Sequence, residues 1–272
     1  MPRSPLKFLS RISLALCLAS CGATFAVSQA WALDDGADTT RVLVFGSYCV
    51  KCDLSGRKMP DARFMGANFT GAALVGADLH GAWVFGSDFS RANLAHANLH
   101  GASLFGSDFS GVDFTLADLT GVRAHGANFS GAILAGANFT GSDMLGATLD
   151  QVSAHDVNFT SVSMFGANLG ASHFERASFR GANLTGASLA GSAFAGADFT
   201  GANLTHADLA GADLAAARGL TQTQLDVACS TPATRPPPGL VGKSCRTGPS
   251  IIILHSTSPV RVGTPRYVVN PY

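Results

Sequence analysis

A five-residue period, unbroken for over 150 of the chain's 272 residues, constrains the fold more than any other feature. Stepping by five from Phe64 to Leu214, all 31 positions are apolar, mostly Leu or Phe. Two residues earlier, from Ala62 to Ala212, all 31 are Ala, Ser or Val. Two residues later, from Gly66 to Gly211, 21 of 30 are Gly. A helix repeats every 3.6 residues and a strand every 2, so neither keeps these positions on one side. A five-residue unit does so if it forms one side of a coil. The large residue and the small one before it then point inward, and glycine turns the corner. The number of sides comes from a longer repeat. GAWVFGSDFS at 81–90 returns as GASLFGSDFS at 101–110, eight of ten identical at a lag of twenty. Twenty residues are four units, so the coil is four-sided and every twentieth residue stacks at about 4.8 Å.

The stacked columns support this by volume. One inward column reads Phe69, Phe89, Phe109, Phe129, Leu149, Leu169, Leu189, Leu209, and the opposite one Leu79, Leu99, Leu119, Phe139, Phe159, Phe179, Phe199. Where one is Phe the other is mostly Leu, as close packing of a layer requires. The coil holding both Phe129 and Phe139 carries Ala124 on a third side.

The unit, as in GANFT, GADLH and GADFT, resembles the pentapeptide-repeat family over about 53–217. The resemblance implies an all-β chain: a right-handed quadrilateral parallel β-helix. Residues 33–52 are expected to cap its start, where CVKCDLSG resembles family openings. Residues 218–247 are expected to cap its end, with a short helix over about 221–229 marked by the Thr221–Gln224 capping-box spacing. A loosely ordered tail is expected over 248–272. Corners 151, 156 and 161 lack glycine, and Ala154 stands at an inward centre, so a distorted coil is expected near His155.

Residues 1–32 read as a secretory signal. Arg3, Lys7 and Arg11 precede an apolar run that ends in Ala30-Trp31-Ala32, with cleavage expected after Ala32. Leu18-Ala19-Ser20-Cys21 also resembles a lipobox, which makes Cys21 a candidate lipidation site. Either route exports the chain to the periplasm or beyond, with an envelope anchor in the second case. Eighteen basic and eighteen acidic residues balance, which excludes a chain-wide basic nucleic-acid binder. Residues 53–217 are net acidic, with 14 acids against 7 bases.

Chemistry-bearing residues are sparse. Eight coils separate Cys49 and Cys52 from Cys229 and Cys245, too far for a disulfide between the ends. Cys49–Cys52 and Cys229–Cys245 remain as pairs, or the thiols stay free. Cys229–Cys245 is the stronger disulfide candidate in an oxidising compartment. His80 and His100 stack near Asp78 and are read as a solvated face rather than a metal site. No P-loop, G-x-S-x-G or H-E-x-x-H motif occurs, and no cofactor or metal is expected.

The outward residue after each centre carries the one functional signal. On one face the column reads Met65, Phe85, Phe105, His125, Leu145, Phe165, with Trp83 beside Phe85. On the next face it reads Thr70, Ser90, Ser110, Ser130, Asp150, Gly170. An apolar ladder of this length is a candidate contact surface. The expectation is an exported, non-enzymatic scaffold that binds a protein partner or a second copy of itself through this face. Coverage by the chain's own ends is the bland alternative. Two other readings are a lipid-anchored envelope module and, because some family members imitate duplex DNA and block DNA gyrase, a DNA mimic acting on a topoisomerase.

Overall fold

The computed structural model describes residues 43–45 and 48–244. The segment expected to be a secretory signal, with Cys21, the residue Cys245 and residues 248–272 lie outside the described residues. Through the repeat region each residue before a centre pairs in parallel with the residue twenty positions on, from Tyr48↔Asn68 to Asp198↔Arg218. That lag builds a stack of four-sided coils. Every coil bonds only to the one above and the one below: Asp88 donates its N–H to Ala67 and Phe89 donates to Asp108. Three strands are long enough to be continuous: β1 (Leu43–Phe45), β2 (Arg63–Met65) and β3 (Trp83–Phe85). They form one parallel sheet, with Phe45 opposite Met65 and Met65 opposite Phe85.

The corner is a tight turn. The small residue donates its N–H to the carbonyl three residues back, as from Ala72 to Phe69 at 2.9 Å. The residue just before the small one sits at positive φ. Glycine supplies this without strain, as Gly86 does at 54°. The corners lacking glycine adopt the same conformation: Gln151, Asp156 and Ser161 have φ of 58°, 59° and 56°. The coil near His155 is therefore regular, and the expected distortion does not occur. Ser153 pairs with Ile133 below and His173 above without interruption. Neighbours on both sides hold the backbone in a shape those residues adopt at a cost of roughly 1–2 kcal/mol each.

Both inward positions are fully buried along the stack. Phe69, Phe89, Phe109 and Phe129 stack at 4.7–5.4 Å, and Phe139, Phe159, Phe179 and Phe199 at 5.0–5.4 Å. The aromatic spine changes sides between Phe129 and Phe139, whose rings meet edge-on at 6.1 Å. Ala124 is fully buried in that same coil. Where serine replaces the small alanine, its hydroxyl donates to a carbonyl of the coil below, as from Ser142 to Leu119 at 2.8 Å. No buried side-chain polar atom among the described residues lacks a partner.

At the far end lies helix α1 (Gln222–Asp226). Thr221 and Gln224 form a reciprocal capping box. The Gln224 amide also donates to the carbonyls of Phe199 and Ala202, and Leu225 and Ala228 join the core. At the near end Cys49 and Cys52 are joined by a disulfide with Cα atoms 5.3 Å apart, and both pack against the core. They occupy the inward phases that Phe69 and Ala72 fill one coil later. The Cys229–Cys245 pairing falls outside the described residues, because Cys245 does.

Candidate interaction face

The stripe stacks because its backbone does. Gly66 donates to the carbonyl of Phe85, Gly106 to His125, Gly126 to Leu145 and Gly146 to Phe165. Each apolar side chain is thereby set one strand spacing above the last. Trp83 and Phe85 flank the inward Val84 on β3 and so share its outer surface. Five of the seven expected residues stand clear in solvent: Met65 40%, Trp83 54%, Phe85 58%, Leu145 43% and Phe165 50% exposed. Phe105 is half-buried and meets the His125 ring edge-on at 5.1 Å. His125 in turn bonds through Nε2 to the Asp143 carboxylate at 2.7 Å.

The outward column therefore has a polar link at its middle. Three further residues share this face: Arg63, Arg123 and Asp143 occupy the position before the centre, in register with Trp83 and Ser103. The Arg63 guanidinium lies 5.6 Å from the Trp83 ring centroid. Sequence reading followed the column after the centre and took only Trp83 from the column before it. The missing signal was the second outward column, at the same lag of twenty: Arg63, Trp83, Ser103, Arg123, Asp143, Ser163.

The neighbouring face is chemically different. Thr70 donates to Asn68 and Asp88, and Ser130 to Asn128 and Asp150, so these two hydroxyls link their own coil to the next. The Asp and Asn before each centre serve the turn. Nine Asp and nine Asn side chains accept the backbone N–H two residues on. Equal use of the charged and neutral residue shows that the turn needs the oxygen, not the charge. Nine of the fourteen repeat-region acids are accounted for in this way. Two carboxyls fall well below the ordinary range, each to about 2. Asp156 does so through hydrogen bonds from Arg176, and Asp198 through the Thr200 hydroxyl and then Arg180.

His80 bonds to Asp78 at 2.8 Å. Among the described residues no group of three or more His, Cys, Asp or Glu is placed to hold a metal ion. No helix among them is long and apolar enough to cross a membrane.

The family model for pentapeptide repeats matches residues 47–82, 85–121, 125–160, 163–201 and 182–218, in eight copies. The chain belongs to the pentapeptide-repeat family. Members fold as right-handed quadrilateral β-helices, which agrees with the four-sided parallel stack seen here. No curated protein matches the sequence. Among solved structures, this pentapeptide-repeat chain is similar to HetL from the cyanobacterium Nostoc sp. strain PCC 7120, a protein involved in heterocyst differentiation regulation. The identity is 25% over 71% of this chain and 89% of HetL, with a TM-score of 0.42. Trypsin-treated QnrB1, a plasmid-mediated fluoroquinolone resistance protein, is 22% identical over 65% of this chain and 82% of its own, with a TM-score of 0.40. A pentapeptide-repeat protein of the Arabidopsis thaliana thylakoid lumen is 30% identical over 49% and 81%, with a TM-score of 0.25.

Proposed function

We propose that this chain is an exported, non-enzymatic scaffold that holds another protein, or a second copy of itself, against its apolar face. One observation carries the reading: Met65, Phe85, Leu145 and Phe165 stand exposed in one column with Trp83 at its side, on a solenoid whose next face is hydroxyl, amide and carboxylate. Leaving such a column in water forgoes roughly 25 cal/mol for each Å² of apolar surface that a partner would cover. Export rests on the basic-then-apolar pattern of residues 1–32. Helix α1 caps the stack in this reading, because Gln224 satisfies two carbonyls at the last coil that would otherwise face solvent.

The lipobox-like sequence at Cys21 favours a second form of the same proposal, a module tethered to the envelope. Intact mass of protein from the host envelope separates the two: a chain starting at Leu33 or one starting at a lipidated Cys21. The DNA-mimic reading is not carried forward, since a topoisomerase partner is cytoplasmic and residues 1–32 favour export.

Phe85→Ser combined with Phe105→Ser tests the face. The expected result is loss of the partner or dimer recovered by chemical crosslinking in the host envelope, with melting retained. Identical crosslinked species from the variant and the parent would sink the proposal.

A further inference from the structure

We infer that the occupant of this face is a second copy of the same chain, docked antiparallel about a two-fold axis at the coil of Ser103 and Phe105. The inference deepens the proposed function and rests on it. A two-fold axis running across the face, parallel to its strands, sets each outward column against itself with the coil order reversed. With the axis at Ser103 and Phe105, Arg63 faces the partner's Asp143, and Trp83 faces the partner's Arg123. Phe85 meets the partner's His125, Met65 the partner's Leu145, and Phe105 the partner's Phe105. Opposite charges, a cation over an aromatic face and apolar pairs thus coincide in one register, each twice by symmetry.

Neighbouring registers lose this. A one-coil slide in one direction sets Arg63 against the partner's Arg123. The opposite slide leaves Arg63 and Arg123 facing serines, and Asp143 facing Trp83. Parallel docking places Arg123 beside the partner's His125. Ser103 is small and buried, so it leaves room at the axis for the two Phe105 rings. The stripe is narrow and, from Met65 to Phe165, about 24 Å long at the strand spacing. Such an interface lies at the small end of specific contacts, and a dimer with a dissociation constant on the order of micromolar is expected.

Sedimentation velocity on the purified chain tests this with two single variants. Arg63→Asp sets two carboxylates against each other across the interface, and Asp143→Arg sets two guanidinium groups against each other. Each variant alone is expected to weaken the dimer by at least roughly tenfold. Mixed together, they are expected to form a heterodimer of about parental affinity, because both cross-interface pairs are then complementary. Thermal melting of each single variant checks that the fold survives, since Asp143 also holds His125. A parent chain that stays monomeric to about 200 µM overturns the self-association, and so do single variants that fail to recombine. Either failure leaves the crosslinking test of a different protein partner untouched, so the two readings fail separately.

Discussion

The apolar face and the hydroxyl face beside it stand on one backbone and share one corner. They pair at the same lag and bury the same kinds of residue inward. Their inward columns are both apolar, and the contrast in character lies in the outward positions, where Phe85 and Phe105 give way to Ser90 and Ser110. The inward half of each unit therefore specifies the coil, and the outward half is free to specify a surface. Substitutions on the two sides of that divide should behave as different classes.

The largest effect is expected inside. Phe129→Ala removes a ring stacked on Phe109 and edge-on to Phe139, and should lower stability by roughly 3–5 kcal/mol in denaturant unfolding. Phe129→Leu should cost about 1–2 kcal/mol, since the layer already tolerates leucine in that column one coil on. An unchanged melting temperature for both would mean the layer is assigned wrongly. A corner comes next. Gly136 sits at φ 63°, and a Cβ there would lie 2.8 Å from Leu116 of the coil below. Gly136→Ala should cost about 1–3 kcal/mol, with part recovered when Leu116→Ala is added. A loss that Leu116→Ala does not ease would leave backbone strain as its whole cause.

Outward changes should be smaller. Phe85→Ser with Phe105→Ser should shift folding stability by within about 1 kcal/mol while abolishing association. A loss as large as that of Phe129→Ala would erase the distinction between the two halves of the unit. The smallest effect is a slope in pH. The Asp198 carboxyl is held down to about 2 in the fold, so its contribution is present above the ordinary carboxylate range near 4. It is lost as the pH falls from there through about 2. Asp198→Asn keeps the turn acceptor, as Asn183 and Asn203 do, but cannot titrate. Its melting temperature should fall less between pH 5 and pH 2 than the parent's. Parallel curves would show that Asp198 does not carry that slope.

The coil, its four sides and the aromatic columns were legible in the sequence because the period is strict and the volumes compensate. The Cys49–Cys52 pair was legible as a candidate through its inward phase. The regularity near His155 was not legible. Local propensity argues against Gln, Asp and Ser at positive φ, whereas the backbone there is set by hydrogen bonds to coils on either side: Gln151 donates to Gly170 and Asp156 to Glu175. The charged half of the candidate face was missed for a simpler reason. Arg63 and Arg123 stand sixty residues apart, and Asp143 another twenty on, in a column whose other members are mixed, so no local motif marks them.

The lag of twenty also fixes what length changes do. Inserting twenty residues adds a coil and leaves every face in line. Inserting five keeps each inward residue inward and each corner a corner, but turns everything beyond it by a quarter. Placed between Phe105 and His125, such an insertion would leave an intact core carrying half a stripe on one face and half on the next. Shape and surface are thus separable by arithmetic alone: the solenoid counts in fives, and its binding face counts in twenties.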